Sequence, residues 1–139
     1  MNIDDCFRDG SLRRTAPDLE NARKSIQQAK MNLEDARKNI SIGCHRVALI
    51  VCYTAMFHTA RAILFRDGVK ERSHVCIPIY LRSAYPSLAQ YANILDSYRI
   101  YRHNAVYGLG TDVDETEAQE AARQTENFIG AIEKIVVER

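Results

Sequence analysis

Hydrophobic side chains recur along this chain at steps of three and four, the spacing that lines one face of an α-helix. The clearest run is Leu19, Ala22, Ile26, Ala29, Leu33, Ala36 and Ile40, with Arg23, Lys24, Lys30, Glu34, Asp35 and Lys38 off the stripe. Pro17 suits the first helical position, and Asp18 and Glu20 place negative charge at the helix N-terminus. Gly43 ends the pattern. The stretch from about His45 to Asp67 is apolar over most of its circumference, which predicts a central helix capped by Gly68. Ser73 is read as the cap of a short helix over about 74–84, and Pro86 closes it. A longer helix is expected from about Ser87 to Tyr107, stopping at Gly108 and Gly110. After a loop at Thr111 to Asp114, the positions Ala118, Ala121, Ala122, Phe128, Ile129, Ile132, Ile135 and Val136 keep helical spacing. No strand pattern, repeat or low-complexity tract competes. The expected fold is all-α, an antiparallel up-and-down bundle of four to five helices spanning 17–139. An arm over 1–16, carrying Arg13 and Arg14, precedes it and is assigned no function.

Composition narrows the function classes. The chain has 139 residues, 46% hydrophobic and 27% charged, which fits one globular domain with its own core. Nineteen basic and eighteen acidic side chains leave a net charge of +1, so no general polyanion-binding surface is expected, although a local patch is compatible. Lys38, Arg46, Arg66, Lys70 and Arg82 read as scattered charge. The N-terminus lacks the apolar core of a secretory signal, and the apolar run from Val47 to Phe57 is too short to span a bilayer. A cytoplasmic protein without a membrane partner is expected. Cys6, Cys44, Cys52 and Cys76 show no C-x-x-C spacing and read as reduced, mostly packed thiols. Cys44 and His45 supply two ligands and no second pair, so no metal site is expected. No cofactor is expected either. There is no Walker-type loop or Rossmann fingerprint, and a nucleotide would have to be held by side chains.

The 87–107 helix is where simple patterning fails. At about 100° per residue, Leu88, Tyr91, Ile94, Leu95, Tyr98, Tyr101, Ala105 and Val106 fall in one broad apolar arc. Arg102 falls in the middle of it. An arginine among core positions must be paired, snorkel, or face a cleft or partner. Beside the arc runs a polar strip of Asp96, Arg99, His103 and Tyr107. Two guanidinium groups can grip a phosphate bidentately, and a histidine can move a proton near neutral pH. A surface ion pair of Arg99 with Asp96 and a solvated His103 would explain the strip equally well. Arg102 is what that plainer account explains least.

The run Tyr53-Thr54-Ala55-Met56-Phe57-His58-Thr59-Ala60-Arg61-Ala62 resembles the Y-x-A-M-F-H-x-A-R-A helix of HEPN-domain proteins. Glu71-Arg72-Ser73-His74 resembles the segment that follows it in that family. Arg102-His103-Asn104-Ala105-Val106-Tyr107 lies where the family carries its signature of Arg, a polar residue, three residues and then His. The resemblance covers roughly 18–136. It implies a helical bundle that forms a homodimer through the 87–107 helix. It also implies a role with RNA or nucleotide, as a toxin–antitoxin component or beside a nucleotidyltransferase-type protein partner. In active members of the family, the arginine and histidine converge on the scissile phosphate and 2′-hydroxyl in metal-independent endoribonucleases.

This chain departs at the last signature position, where Tyr107 replaces His. A phenol with an ordinary pKa near 10 is a poor general base at neutral pH. Position 109, where some toxin members carry a modified tyrosine, is Leu109. The expected catalytic set, if any catalysis survives, is Arg102, His103 and Tyr107. The expected binding set is Arg99, Arg102, Asp96 and Asn104, joined by His58 and Arg61, one turn apart on the 45–67 helix. His58 also reads as a hydrogen-bonded histidine in or near the core, and Arg72 with His74 as a solvated loop, with a place at the cleft mouth as the alternative. Binding of RNA or nucleotide phosphates with weakened or absent cleavage is the leading expectation. An active metal-independent endoribonuclease and a helical protein-interaction adaptor are the alternatives.

Overall fold

The computed structural model describes residues 1–137. Six helices and one small ribbon follow in order: α1 (Ile3–Arg8), β1 (Leu12–Arg14), α2 (Leu19–Ser41), α3 (His45–Asp67), β2 (Val69–Glu71), α4 (Cys76–Ala84), α5 (Ala89–Tyr107) and α6 (Glu115–Val137). A 3₁₀ turn at Pro86–Leu88 leads into α5. The architecture is the all-α bundle expected, with the apolar periodicity setting each long helix.

The three-four stripe of α2 is buried from Ala22 to Ile40. The helix begins two residues after Pro17 because Asp18 is its cap, its side chain accepting from the Asn21 backbone N–H at 2.9 Å. α3 is the hub, packing on α2, α6, α5 and α4. Its length and composition alone would also suit a membrane span, but helices packed along its sides mark it as the core helix. Alanines at 29, 36, 48, 55, 118, 121 and 122 are buried where α2, α3 and α6 meet, and their small side chains let the helices approach closely. Ser25, Thr59 and Thr125 are buried but satisfied, each bonding a backbone carbonyl at 2.7–2.8 Å. α6 starts with a capping box in which Asp114 accepts from the Glu117 N–H at 2.7 Å.

Two findings revise the sequence reading of the arm. First, β1 pairs antiparallel with β2, so the fold contains a ribbon that three-residue strands were too short to announce. Second, Cys6 and Cys76 form a disulfide with their Cα atoms 6.0 Å apart, which corrects the expectation of four reduced thiols. Their 70-residue separation in sequence leaves no spacing signal, and only the folding back of α1 onto α4 brings them together. A bridge closing a loop of this size contributes about 2–4 kcal/mol. Cys44 and Cys52 are free, as expected.

The arm is seated at Gly68, whose φ of 73° suits a helix C-cap. A Cβ there would lie 2.5 Å from the Thr15 carbonyl oxygen, and the Thr15 N–H donates to the Gly68 carbonyl at 2.9 Å. Leu12 and Cys6 are fully buried against the bundle.

Gly130 sits inside α6 with open space where a Cβ would go. Gly130→Ala should therefore stabilise the protein by about 0.5–1 kcal/mol through helix propensity alone. The check is the urea midpoint, and a midpoint that falls contradicts the packing described for this face.

Candidate functional site

The site is built by α3, α5 and the segment that follows β2. Tyr53 and Phe57 lie one helical turn apart on α3, so both reach the same neighbour. That neighbour is His74. The Tyr53 hydroxyl shares a 2.9 Å hydrogen bond with His74 Nδ1. The Phe57 ring stacks on the imidazole at 4.3 Å with planes 21° apart. Burial pushes the Tyr53 phenol up to about 12, with Arg99 and Arg102 only partly offsetting it, so it keeps its proton. Burial of the imidazole lowers the His74 pKa. Glu71 opposes that shift, and Arg102, Arg99 and Arg61 add to it. The ring is therefore neutral at pH 7, and in its Nε2–H tautomer the phenol donates to Nδ1. His74 remains exposed on its open side.

On α5, Arg102 follows the row of Leu88, Leu95 and Ala105, which are buried, and is itself half-buried. Among the described residues it pairs with no carboxylate. Arg99 is half-buried and is oriented by Asp96, which accepts from Nε at 3.2 Å and Nη2 at 3.1 Å. The charges of Arg99 and Arg102 act on both Tyr53 and His74, so the two guanidinium groups lie within electrostatic range of that pair.

The expected α5 strip instead divides by exposure. His103 and Tyr107 are exposed, with ring centroids 4.9 Å apart. Asn104 is exposed too, and its carbonyl accepts from the Gly108 N–H at 2.7 Å, closing α5. Arg99 and Arg102 are half-buried instead.

Arg61 and His58 stand at the other edge of the cluster. Arg61 Nε lies 2.8 Å from Glu71 Oε1, and its guanidinium covers the rings of Phe57 and Phe65. The carboxylate oxygen sits off the N–H direction, so the contact is charge on charge and the buried Nε is left without a hydrogen-bond partner. A cavity of about 240 Å³ opens beside this pair, lined by Leu64, Phe65, Lys70 and Thr15 among others. It is smaller than the roughly 300–1,000 Å³ of ordinary small-molecule pockets. His58 is half-buried and edge-on to Phe57 at 5.5 Å, and burial followed by Arg61 lowers its pKa. Among the described residues, no three His, Cys, Asp or Glu side chains gather as a metal site would require.

The arrangement offers two forked cations within electrostatic range of a neutral imidazole that stacks on an aromatic ring. That set suits an oxyanion with several oxygens. The sequence reading missed the part played by Tyr53, Phe57 and His74. Tyr53 and Phe57 were visible as an i, i+4 pair within an apolar helix, but nothing in the spacing places residue 74 beside residues 99 and 102.

Because the folded pKa values of His58 and His74 are lowered, their neutral forms are favoured in the native state. Their contribution to stability is complete above the unfolded value of about 6.5 and is lost as pH falls through the lower folded values. His74→Asn should reduce the stability lost between about pH 7 and pH 5, measured from urea midpoints. An equal loss in wild type and variant contradicts this placement of His74.

The family model for the HEPN domain matches residues 22–135. No curated protein matches the chain.

Proposed function

The chain belongs to the HEPN domain family, and on that premise we propose that it binds RNA or nucleotide phosphates on α5, with cleavage weakened or absent. A nucleotide- or RNA-related role holds at the level of the family. One observation carries the finer reading. Arg102 is a half-buried guanidinium on a mostly buried helical row that pairs with no carboxylate among the described residues. Its fork is therefore free to donate to an anion. Arg99, held by Asp96, supplies a second fork, and the Nε2–H of His74 supplies a further donor. His103, Asn104 and Tyr107 offer hydrogen bonds from the outer face.

We place this site in a homodimer cleft. The support is the exposed apolar surface of α5, where Ile100 is 51% and Tyr101 54% exposed, continued by Tyr107 and Leu109. A cytoplasmic toxin–antitoxin setting, with a nucleotidyltransferase-type protein partner, is the biological context we propose from the family resemblance.

The test is Arg102→Gln, which keeps the length of the side chain and removes its charge. Affinity for single-stranded RNA, read by fluorescence anisotropy, should fall at least tenfold, about 1.4 kcal/mol, with the far-ultraviolet circular dichroism unchanged. Unchanged affinity removes this reading.

A second reading is a metal-independent endoribonuclease, and the neutral imidazole of His74 beside Arg99 and Arg102 favours it. There the imidazole, in the opposite tautomer with Nδ1–H donating to the Tyr53 hydroxyl, would take the 2′-hydroxyl proton at Nε2 as that oxygen attacks phosphorus, and the 5′-oxygen would leave with a proton from water. Its mark is RNA cleavage in EDTA that both Arg102→Gln and His74→Asn abolish. Cleavage persisting in both variants, or none from wild type, refutes it.

A further inference from the structure

The β1–β2 ribbon gathers cations that lie far apart in the sequence. In its register Arg13 is directly opposite Lys70, and Leu12 is opposite Glu71. Leu12 and Val69 are buried, so the alternate positions Arg13 and Lys70 point outward, and both are exposed. Arg72 is two residues beyond Lys70 on the same face, and its N–H continues the ladder to the Ser11 carbonyl at 2.7 Å. Like charges directly opposite each other destabilise a ribbon. Among the described residues, none of Arg13, Lys70 and Arg72 forms an ion pair.

The carboxylates around them are occupied. Glu71 pairs with Arg61, and Asp67 accepts from Tyr80, Tyr85 and Arg66. Asp18 caps α2. Asp9, whose charge does act on Arg72, accepts from the Ser11 N–H at 2.8 Å. The ribbon is also joined to the α5 site. Only Ser73 lies between Arg72 and His74, which are two steps and at most about 7 Å apart along the chain. Lys70 and Arg72 lie inside the matched stretch 22–135, but Arg13 on β1 lies outside it, so the match does not extend to the pairing that completes this cationic face.

We propose that the outward face of the ribbon, through Arg13, Lys70 and Arg72, binds the phosphate backbone of an RNA strand whose next phosphates reach His74, Arg99 and Arg102. The ligand is then a polynucleotide of several nucleotides and not a mononucleotide. The inference rests on the phosphate-binding reading of α5 and specifies its substrate class. A membrane surface is the poorer fit, because the outward ribbon positions carry no apolar side chain to insert.

The test is the double variant Arg13→Thr with Lys70→Thr, which keeps strand-forming residues and removes the opposed charges. The probes are fluorescein-labelled single-stranded RNA of about 12 nucleotides, adenosine monophosphate, and phosphatidylserine vesicles. Losing two phosphate contacts should weaken RNA binding about tenfold near 0.1 M salt and reduce the slope of log K on log salt by about 1.4. Binding of the monophosphate and thermal stability should not fall. RNA affinity and salt slope unchanged in the double variant, but reduced in Arg102→Gln, would overturn this proposal alone. Loss in the double variant without loss in Arg102→Gln would overturn the α5 reading on which it rests. Ribbon-dependent binding to vesicles in place of RNA, or no RNA binding by wild type, would overturn both.

Discussion

The positive charge at the seam between α3 and α5 is the constraint from which the site takes its form. Arg102 occupies a helical row that packing would otherwise fill with apolar side chains, and no carboxylate among the described residues balances it. Its nitrogens stay open to solvent and donate to no acceptor among the described residues, which leaves the fork available to an anion. The bundle tolerates it because α3 is anchored chiefly by α2 and α6, so the packing of α5 on α3 can include one unbalanced group at its edge. Around that group the other side chains fall into place. Asp96 fixes Arg99, Tyr53 and Phe57 fix His74, and Glu71 holds Arg61. Each contact restricts a donor without neutralising Arg102.

The N-terminal arm ties this local chemistry to the wider fold. It closes over the C-terminus of α3 at Gly68, pairs with β2, and is stapled to the start of α4 by Cys6–Cys76. β2 and the residues after it are thereby fixed at both ends. His74, in the short connection from β2 to α4, is positioned by a segment that contributes no group to the α5 cluster itself. The same arrangement turns Arg13, Lys70 and Arg72 into one cationic face, although the chain carries a net charge of only +1.

Much of this fold was legible in the sequence, because helix packing leaves a periodic trace. The stripe from Ala22 to Ile40, the all-round apolar character of α3 and the stops at Gly43, Gly68 and Gly108 correspond to observed elements. The misplacement of Arg102 was legible for the same reason, as a charged residue in an apolar row. What was hidden depends on contacts between distant residues. The ribbon needs residues 12–14 beside 69–71, the disulfide needs residue 6 beside 76, and the Tyr53–His74 bond needs a loop folded onto a helix. Single-chain periodicity carries no information about such pairings. It also could not tell that Arg99 and Arg102 are half-buried while His103 and Tyr107 are exposed, because a helical wheel does not say which sides of α5 neighbouring helices cover.

The pKa of His74, followed by NMR titration of its ring protons, tests the central claim most directly. If Arg102 and Arg99 place uncompensated charge beside this imidazole, an RNA phosphate bound between them must raise the His74 pKa, and Arg102→Gln must raise it in the absence of RNA. A His74 pKa that moves in neither case would show that the guanidinium groups and the imidazole do not share a site.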